Sequence, residues 1–161
     1  MGIEAARTHL ESFGKAGAII EFEASSATVE LAAQALGVEG GRIAKTLSFK
    51  TQGQGRLILF AGDARIDNAK YKARFGTKAS MLSPDEAFGL TGHRIGGICP
   101  FGLPSAVEVW LDESLKRFDS VYPACGSSNS AIRASLLELE TWSGAMGWVD
   151  VGKLPETGPS A

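Results

Sequence analysis

The sequence predicts a single mixed α/β domain on a sheet with both parallel and antiparallel neighbours. Three observations carry that expectation. Short β-type apolar runs alternate with helical patterns along most of the 161 residues, a length that suits one domain. The run Ile43-Ala44-Lys45-Thr46-Leu47-Ser48-Phe49 and the run over residues 56–61 flank Gln52-Gly53-Gln54-Gly55, a hairpin loop that makes two strands antiparallel. Hydrophobic residues make up 44% and charged residues 21%, enough apolar surface to fill a core between a sheet and its helices.

From the N-terminus, residues 2–15 read as a helix, with Ala5, Ala6, Leu10 and Phe13 at helical spacing and Gly14 and Gly17 bracketing its end. Residues 19–23 suggest a short strand. Ser25, Ser26 or Thr28 caps a second helix, Val29–Leu36, which Gly37 closes. A strand over Ile43–Phe49, the hairpin and a returning strand over Arg56–Ala61 follow. A polar helix spans residues 67–75 and stops at Gly76. Ser83-Pro84-Asp85-Glu86 is a helix start, with Ser83 as cap, Pro84 in the first turn and Glu86 at the capping-box position. That helix runs to about Leu90. Residues 106–111 read as a strand and residues 112–117 as a helical turn. Residues 120–124 and 130–134 read as strands around the loop Gly126-Ser127-Ser128-Asn129, residues 135–142 as a short helix, and residues 148–151 as a last strand. From residue 153 the chain is rich in Pro, Gly and Ser and reads as a flexible tail, leaving a domain over residues 1–152.

The formal net charge is −2, so bulk charge does not single out a nucleic-acid partner, and a polyanion would have to meet a local basic patch. Arg65, Lys70, Lys72 and Arg74 form such a cluster, with Lys78 beyond. A solvated helix face and a phosphate-contacting surface both suit it. No apolar run reaches the ~18 residues of a membrane span. The N-terminal residues lack the basic-then-apolar order of a secretion signal. Cys99 and Cys125 lie far apart without metal-ligand spacing, which fits a reduced, cytoplasmic protein. There is no internal repeat, no phosphate-binding or dinucleotide glycine fingerprint and no His/Cys/Asp cluster. Neither a metal nor a cofactor is expected.

Chemistry concentrates at Gly96-Gly97-Ile98-Cys99-Pro100-Phe101-Gly102 and at Lys45. Two adjacent glycines let a ligand approach the backbone N–H groups, and Pro100 and Pro104 stiffen the turn. Lys45 lies in an apolar run, where a cation either snorkels from a sheet edge or points into a pocket to hold an anion. A backbone cradle with one strand-borne lysine suits an anion or a developing oxyanion. Cys99 reads as a small buried thiol rather than a nucleophile, since no His/Asp partner stands at a recognised spacing. His93 precedes the glycines and could rim the same pocket. His9 falls on the first helix. Ser127, Ser128 and Asn129 form either a plain turn or a set of hydrogen-bonding groups beside the pocket.

The whole order resembles the YbaK/prolyl-tRNA synthetase editing-domain family over roughly residues 15–152. The matching residues are Ile43-Ala44-Lys45-Thr46-Leu47, the strand ending Ala61-Gly62-Asp63, the basic helix after Asp67, and Thr91-Gly92-His93 leading into the glycine turn. The strand Val107 to Leu111 and Ala124-Cys125-Gly126-Ser127-Ser128-Asn129 complete it. The resemblance implies a mixed, barrel-like sheet flanked by helices. It implies hydrolysis of amino acids wrongly attached to tRNA, tRNA-Pro above all, the residue removed being Ala, Ser, Cys, Thr or 2-aminobutyrate. The implied partners are the acceptor end of an aminoacyl-tRNA and a prolyl-tRNA synthetase.

By position, Lys45 would hold the terminal adenosine or its phosphate, and the Gly96-Gly97-Ile98 backbone would bind the aminoacyl carbonyl. Thr46, Phe22, His93, Cys99, Pro100, Phe101, Ser127, Ser128 and Asn129 would contact the substrate, with Val29 and Leu47 as further pocket walls. Arg65, Lys70, Lys72 and Arg74 would touch the tRNA. The Cys-specific branch has an aspartate after its last glycine-rich loop, where this chain has Ser130 and Ala131. The Ala-specific branch has a histidine there, where this chain offers Ser127, Ser128 and Asn129. The reaction class therefore carries over further than the amino acid. An aminoacyl ester is already activated, so a cradle and a positioned water or ribose hydroxyl suffice without a triad. The alternatives are a non-catalytic module of the same fold that regulates a synthetase, and a small-molecule esterase indifferent to tRNA.

Overall fold

The computed structural model describes residues 2–105 and 107–155, and Met1, Ala106 and the expected tail from residue 156 onward lie outside the described residues. The order is α1 (Ile3–Glu11), β1 (Ile20–Glu21), α2 (Val29–Leu36), β2 (Ile43–Phe49), β3 (Arg56–Ala61), β4 (Arg65–Ile66), α3 (Asn68–Phe75) and α4 (Pro84–Thr91). Then come β5 (Glu108–Asp112), a 3₁₀ turn over Glu113–Arg117, β6 (Ser120–Pro123), β7 (Ser130–Ala131), β8 (Ala134–Ser135), α5 (Leu136–Ser143), β9 (Trp148–Val149) and β10 (Gly152–Lys153).

Local chemistry places the helix starts where the sequence put them. The Thr28 hydroxyl accepts from the Leu31 N–H, and the Asp67 carboxylate accepts from the Lys70 N–H. Ser83 with Glu86 and Ser135 with Glu138 form complete capping boxes, each satisfying two amide donors that a helix start leaves open.

The main sheet has six strands in the order β8-β6-β2-β3-β5-β9. β2 and β3 pair antiparallel, as do β6 and β8, whereas β2–β6, β3–β5 and β5–β9 are parallel. The sheet curls into a half-barrel flanked by helices, the expected class. β3 is its spine. Leu57, Ile58, Leu59, Phe60 and Ala61 are all fully buried, so this strand has no solvent face, and each large side chain on it contributes about 1.5–3 kcal/mol of burial. Among the described residues no helix is long and apolar enough to cross a membrane.

One expected strand divides and another ends early. Residues 130–134 break between β7, which pairs with β1, and β8, which pairs with β6, because the chain changes partners at Ile132 and Arg133. The last expected strand, residues 148–151, stops at Val149. β9 joins β5, and β10 crosses to pair with the unexpected β4. The Asp112 carboxylate accepts from the Val151 and Ser114 N–H groups, at 2.9 and 3.0 Å, and holds the bend between β9 and β10. Lys153, the first residue of the expected tail, thus belongs to a strand.

Candidate active site

Lys45 lies in the middle of β2, opposite Phe60 of β3, and is half-buried. Its Nζ donates to the Gly62 carbonyl at 3.3 Å, leaving two of its three N–H donors for a ligand. Burial pulls the ammonium below the ordinary lysine pKa. The charges of Asp63 and Glu30 work against that, and Arg65 works with it.

Lys45 borders a cavity of about 140 Å³, room for roughly five water molecules. The start of α2 supplies Thr28, Val29 and Ala32, β2 supplies Ile43 to Thr46, and β6 supplies Tyr122. Ile95, Gly96 and Ile98 close it from the glycine turn, and Ser130 and Ala131 from β7. The Thr46 Oγ1 is buried with no hydrogen-bond partner among the described residues.

The two glycines are needed for different contacts. Gly96 has φ +91°, and a Cβ there would come within 2.9 Å of the Ala27 Cβ. A Cβ on Gly97 would lie 2.6 Å from the Gly126 carbonyl carbon and the Ser127 nitrogen, so only glycine lets these two loops stack backbone to backbone. The Gly97 N–H donates to the Arg94 carbonyl at 2.9 Å and is already satisfied. The Ile98 N–H has no acceptor among the described residues, and Ile98 itself lines the cavity.

Other expected contacts stand elsewhere. His93 is fully buried, and its Nε2–H donates to the Phe101 carbonyl at 2.6 Å. Burial holds its pKa below the ordinary imidazole value. The Cys99 Sγ lies 3.5 Å from that nitrogen, and burial pushes the thiol up to about 12, so it is neutral at physiological pH. Pro100 is buried, and Phe101 packs against the His9 ring at 5.6 Å. None of these four borders the cavity, and neither do Phe22 and Leu47.

The 127–129 loop acts as a clamp. The Asn129 Nδ2 donates to the Phe22 carbonyl at 2.8 Å, and the Phe22 N–H donates back to the Asn129 carbonyl at 2.8 Å. The Ser26 N–H donates to the Ser128 carbonyl at 2.6 Å. The loop thereby fixes the segment entering α2, one wall of the cavity. Ser127 and Ser128 face an adjoining hollow of about 560 Å³, which shares Ile95 with the first. Sequence reading did not single out Tyr122, Thr28 or Ser130 as cavity groups. Only the last, at the end of the glycine-serine loop, carried a local signal.

The basic cluster is divided. Arg65 is in β4, close enough for its charge to be felt at Lys45. Lys70 donates to the Asp150 carboxylate and the Gly152 carbonyl, each at 3.0 Å. Lys72 and Arg74 are exposed on α3, with the Arg74 guanidinium 4.9 Å from the Trp110 ring. A roomier hollow of about 690 Å³ surrounds the β2–β3 hairpin, but Arg56 there is neutralised by Glu108 at 3.0 Å, and it lies at the far end of β2 from Lys45. The smaller cavity, where the lysine and the glycine turn converge, is the candidate active site. Among the described residues no three His, Cys, Asp or Glu side chains cluster as metal ligands.

The half-barrel and the sequence that builds it place the chain in a known class. The chain belongs to the aminoacyl-tRNA editing domain family, whose sequence profile matches residues 23–141, a span that holds every residue lining the cavity. Over 154 residues it is 53% identical to the uncharacterized protein YwhH of Bacillus subtilis, covering 95% of this chain and 98% of that one. It is 28% identical over 107 residues to EbsC of Enterococcus faecalis, described as a candidate Cys-tRNA(Pro)/Cys-tRNA(Cys) deacylase, covering 65% of each. A solved structure described as a candidate trans-editing enzyme for prolyl-tRNA synthetase superposes with a TM-score of 0.85 at 32% identity, covering 94% of this chain and 96% of that one.

Proposed function

We propose that this chain is a trans-acting aminoacyl-tRNA deacylase that removes a small amino acid from a wrongly charged tRNA, tRNA-Pro first among the candidates. The observation that carries this reading is the 140 Å³ cavity, walled by small apolar and hydroxyl side chains and bordered by one lysine and a free backbone amide. A synthetase discriminates poorly against a smaller side chain, by about 10–200-fold per methylene, so a second site of small volume is the chemical remedy.

The substrate's side chain enters between Val29, Ala32 and Tyr122. Lys45 grips the terminal adenosine or its phosphate. The Ile98 N–H donates to the ester carbonyl and stabilises the oxyanion that develops there, while Gly96 keeps the approach open. A water attacks the carbonyl carbon, held there by the cradle and by the neighbouring ribose hydroxyl, and its proton passes to the leaving 3′ oxygen. The ester C–O bond breaks, releasing the free amino acid and the tRNA 3′ hydroxyl. Arg65, Lys72 and Arg74 meet the tRNA backbone in this reading, with a prolyl-tRNA synthetase as the source of the mischarged substrate.

The test is deacylation by the purified chain of tRNA-Pro charged separately with Ala, Ser, Cys, Thr, 2-aminobutyrate and Pro. Release of one or two small residues with Pro spared is expected. Failure to release any of them, from tRNA-Pro or from a pool of other mischarged tRNAs, overturns the reading in favour of a non-catalytic binding module. Equal hydrolysis of a simple amino acid ester would instead make it an esterase without tRNA recognition.

A further inference from the structure

The turn after β3 links Lys45 to a charged pair outside the cavity. The acceptor of the Lys45 ammonium is the Gly62 carbonyl, and the next residue, Asp63, is gripped by Arg117 from the 3₁₀ turn. The Arg117 Nη1 donates to Asp63 Oδ2 at 3.0 Å, and Nη2 donates to Oδ1. Arg117 is itself held, because its Nε donates to the Ser114 carbonyl at 3.0 Å and its guanidinium lies 4.9 Å from the Phe118 ring. The Ser114 hydroxyl accepts from the Ala61 N–H at 3.0 Å, so the 3₁₀ turn is pinned to the end of β3 at both sides of Gly62. Gly62 is pressed inward as well. A Cβ there would stand 2.2 Å from the Gly40 carbonyl oxygen and 2.7 Å from the Val29 Cγ1. Neither Asp63 nor Arg117 lines the cavity.

We propose that Asp63 and Arg117 are a positioning pair for Lys45, in which Arg117 orients the Asp63 carboxylate and the Gly62 carbonyl, and Asp63 supports the Lys45 ammonium in place at the cavity. This rests on the reading of Lys45 as the group that grips the aminoacyl-tRNA. A nearby anion offsets part of the cost of half-burying an ammonium. An unrestrained carboxylate would capture the ammonium in a salt bridge and draw it off the substrate. Arg117 prevents that by occupying both carboxylate oxygens in a bidentate fork. The other charges facing Lys45 are Glu30 of α2, which supports its charge, and Arg65 of β4, which opposes it.

The test uses the full chain with ¹³C-labelled lysine and follows the Cε resonance of Lys45 by NMR as pH rises. Its disappearance in Lys45→Met assigns the signal. In Asp63→Asn the midpoint is expected to fall, since the supporting anion is gone. In Arg117→Gln it is expected to rise, since Asp63 then acts on Lys45 unneutralised. The alkaline limb of kcat/KM for deacylation moves in the same two directions. A purely structural role gives neither sign reversal. Midpoints that stay put, or that move the same way in both variants, overturn the proposal. The titration needs no substrate, so a chain that shows the reversal yet hydrolyses nothing would refute the deacylase reading alone.

Discussion

Because burial holds the Lys45 ammonium below its ordinary pKa, the folded chain is destabilised by carrying that charge at neutral pH. The sign follows from linkage. The destabilisation is complete below the folded value and fades as pH rises toward the unfolded value of 10.5, where both states are losing the proton. Lys45→Met is therefore expected to leave the Tm at pH 7 unchanged or higher, an advantage that shrinks toward pH 10.5, while kcat/KM for deacylation falls about 100-fold or more. Thermal melts at the two pH values, run beside the tRNA assay, check both parts. A Tm loss of many degrees at pH 7 would make Lys45 a structural residue. Such a balance is common where a site needs a group that the fold would do better without.

The start of α2 serves stability and shape together. The Thr28 hydroxyl caps the helix at 3.1 Å from the Leu31 nitrogen, and the same residue borders the cavity. Thr28→Ala should cost about 1 kcal/mol, a Tm fall of about 2–4 °C for a chain of this size, and should weaken deacylation as the wall loosens. Thr28→Ser keeps the capping oxygen and should restore both. A Thr28→Ala variant with an unchanged melt but lost activity would instead make the hydroxyl a substrate contact.

Across the molecule, the glycine turn and the 126–129 loop are held as one block, with Cys99 and Cys125 both fully buried inside it. Burial pushes both thiols up in pKa, Cys99 to about 12, so neither offers a thiolate at neutral pH. A disulfide reagent such as an aromatic disulfide should label the native protein no faster than the chain unfolds globally, with both thiols reacting together. Rapid labelling of Cys99 alone in native conditions would reveal local opening of the turn beside the cavity. Cys99→Ser should keep deacylation within about tenfold, which a covalent role for the thiol would not allow.

The helix starts were legible because capping is local. Thr28, Asp67, Ser83 and Ser135 each satisfy an amide within three residues of themselves, and no distant partner is needed to decide it. The β2–β3 hairpin was legible for the same reason, a short polar loop between two apolar runs. The importance of Lys45 and of the glycine pair was also visible in the residues, since a cation in an apolar strand and two adjacent glycines are exceptions that a chain must accommodate. Strand partners were not visible. Whether Ser130–Ala131 continues into Ala134–Ser135, and where Gly152–Lys153 goes, depends on which edges lie free in space. The membership of the cavity was hidden for that reason too. Tyr122 and Ile43 come together only because β6 pairs in parallel with β2. His93, Cys99 and Phe101, near the glycines in sequence, turn away into the core because burying an aromatic ring and a thiol is more favourable than leaving them at a polar rim. Local chemistry determined the elements and flagged the unusual residues, and packing between distant segments decided which of those residues share a pocket.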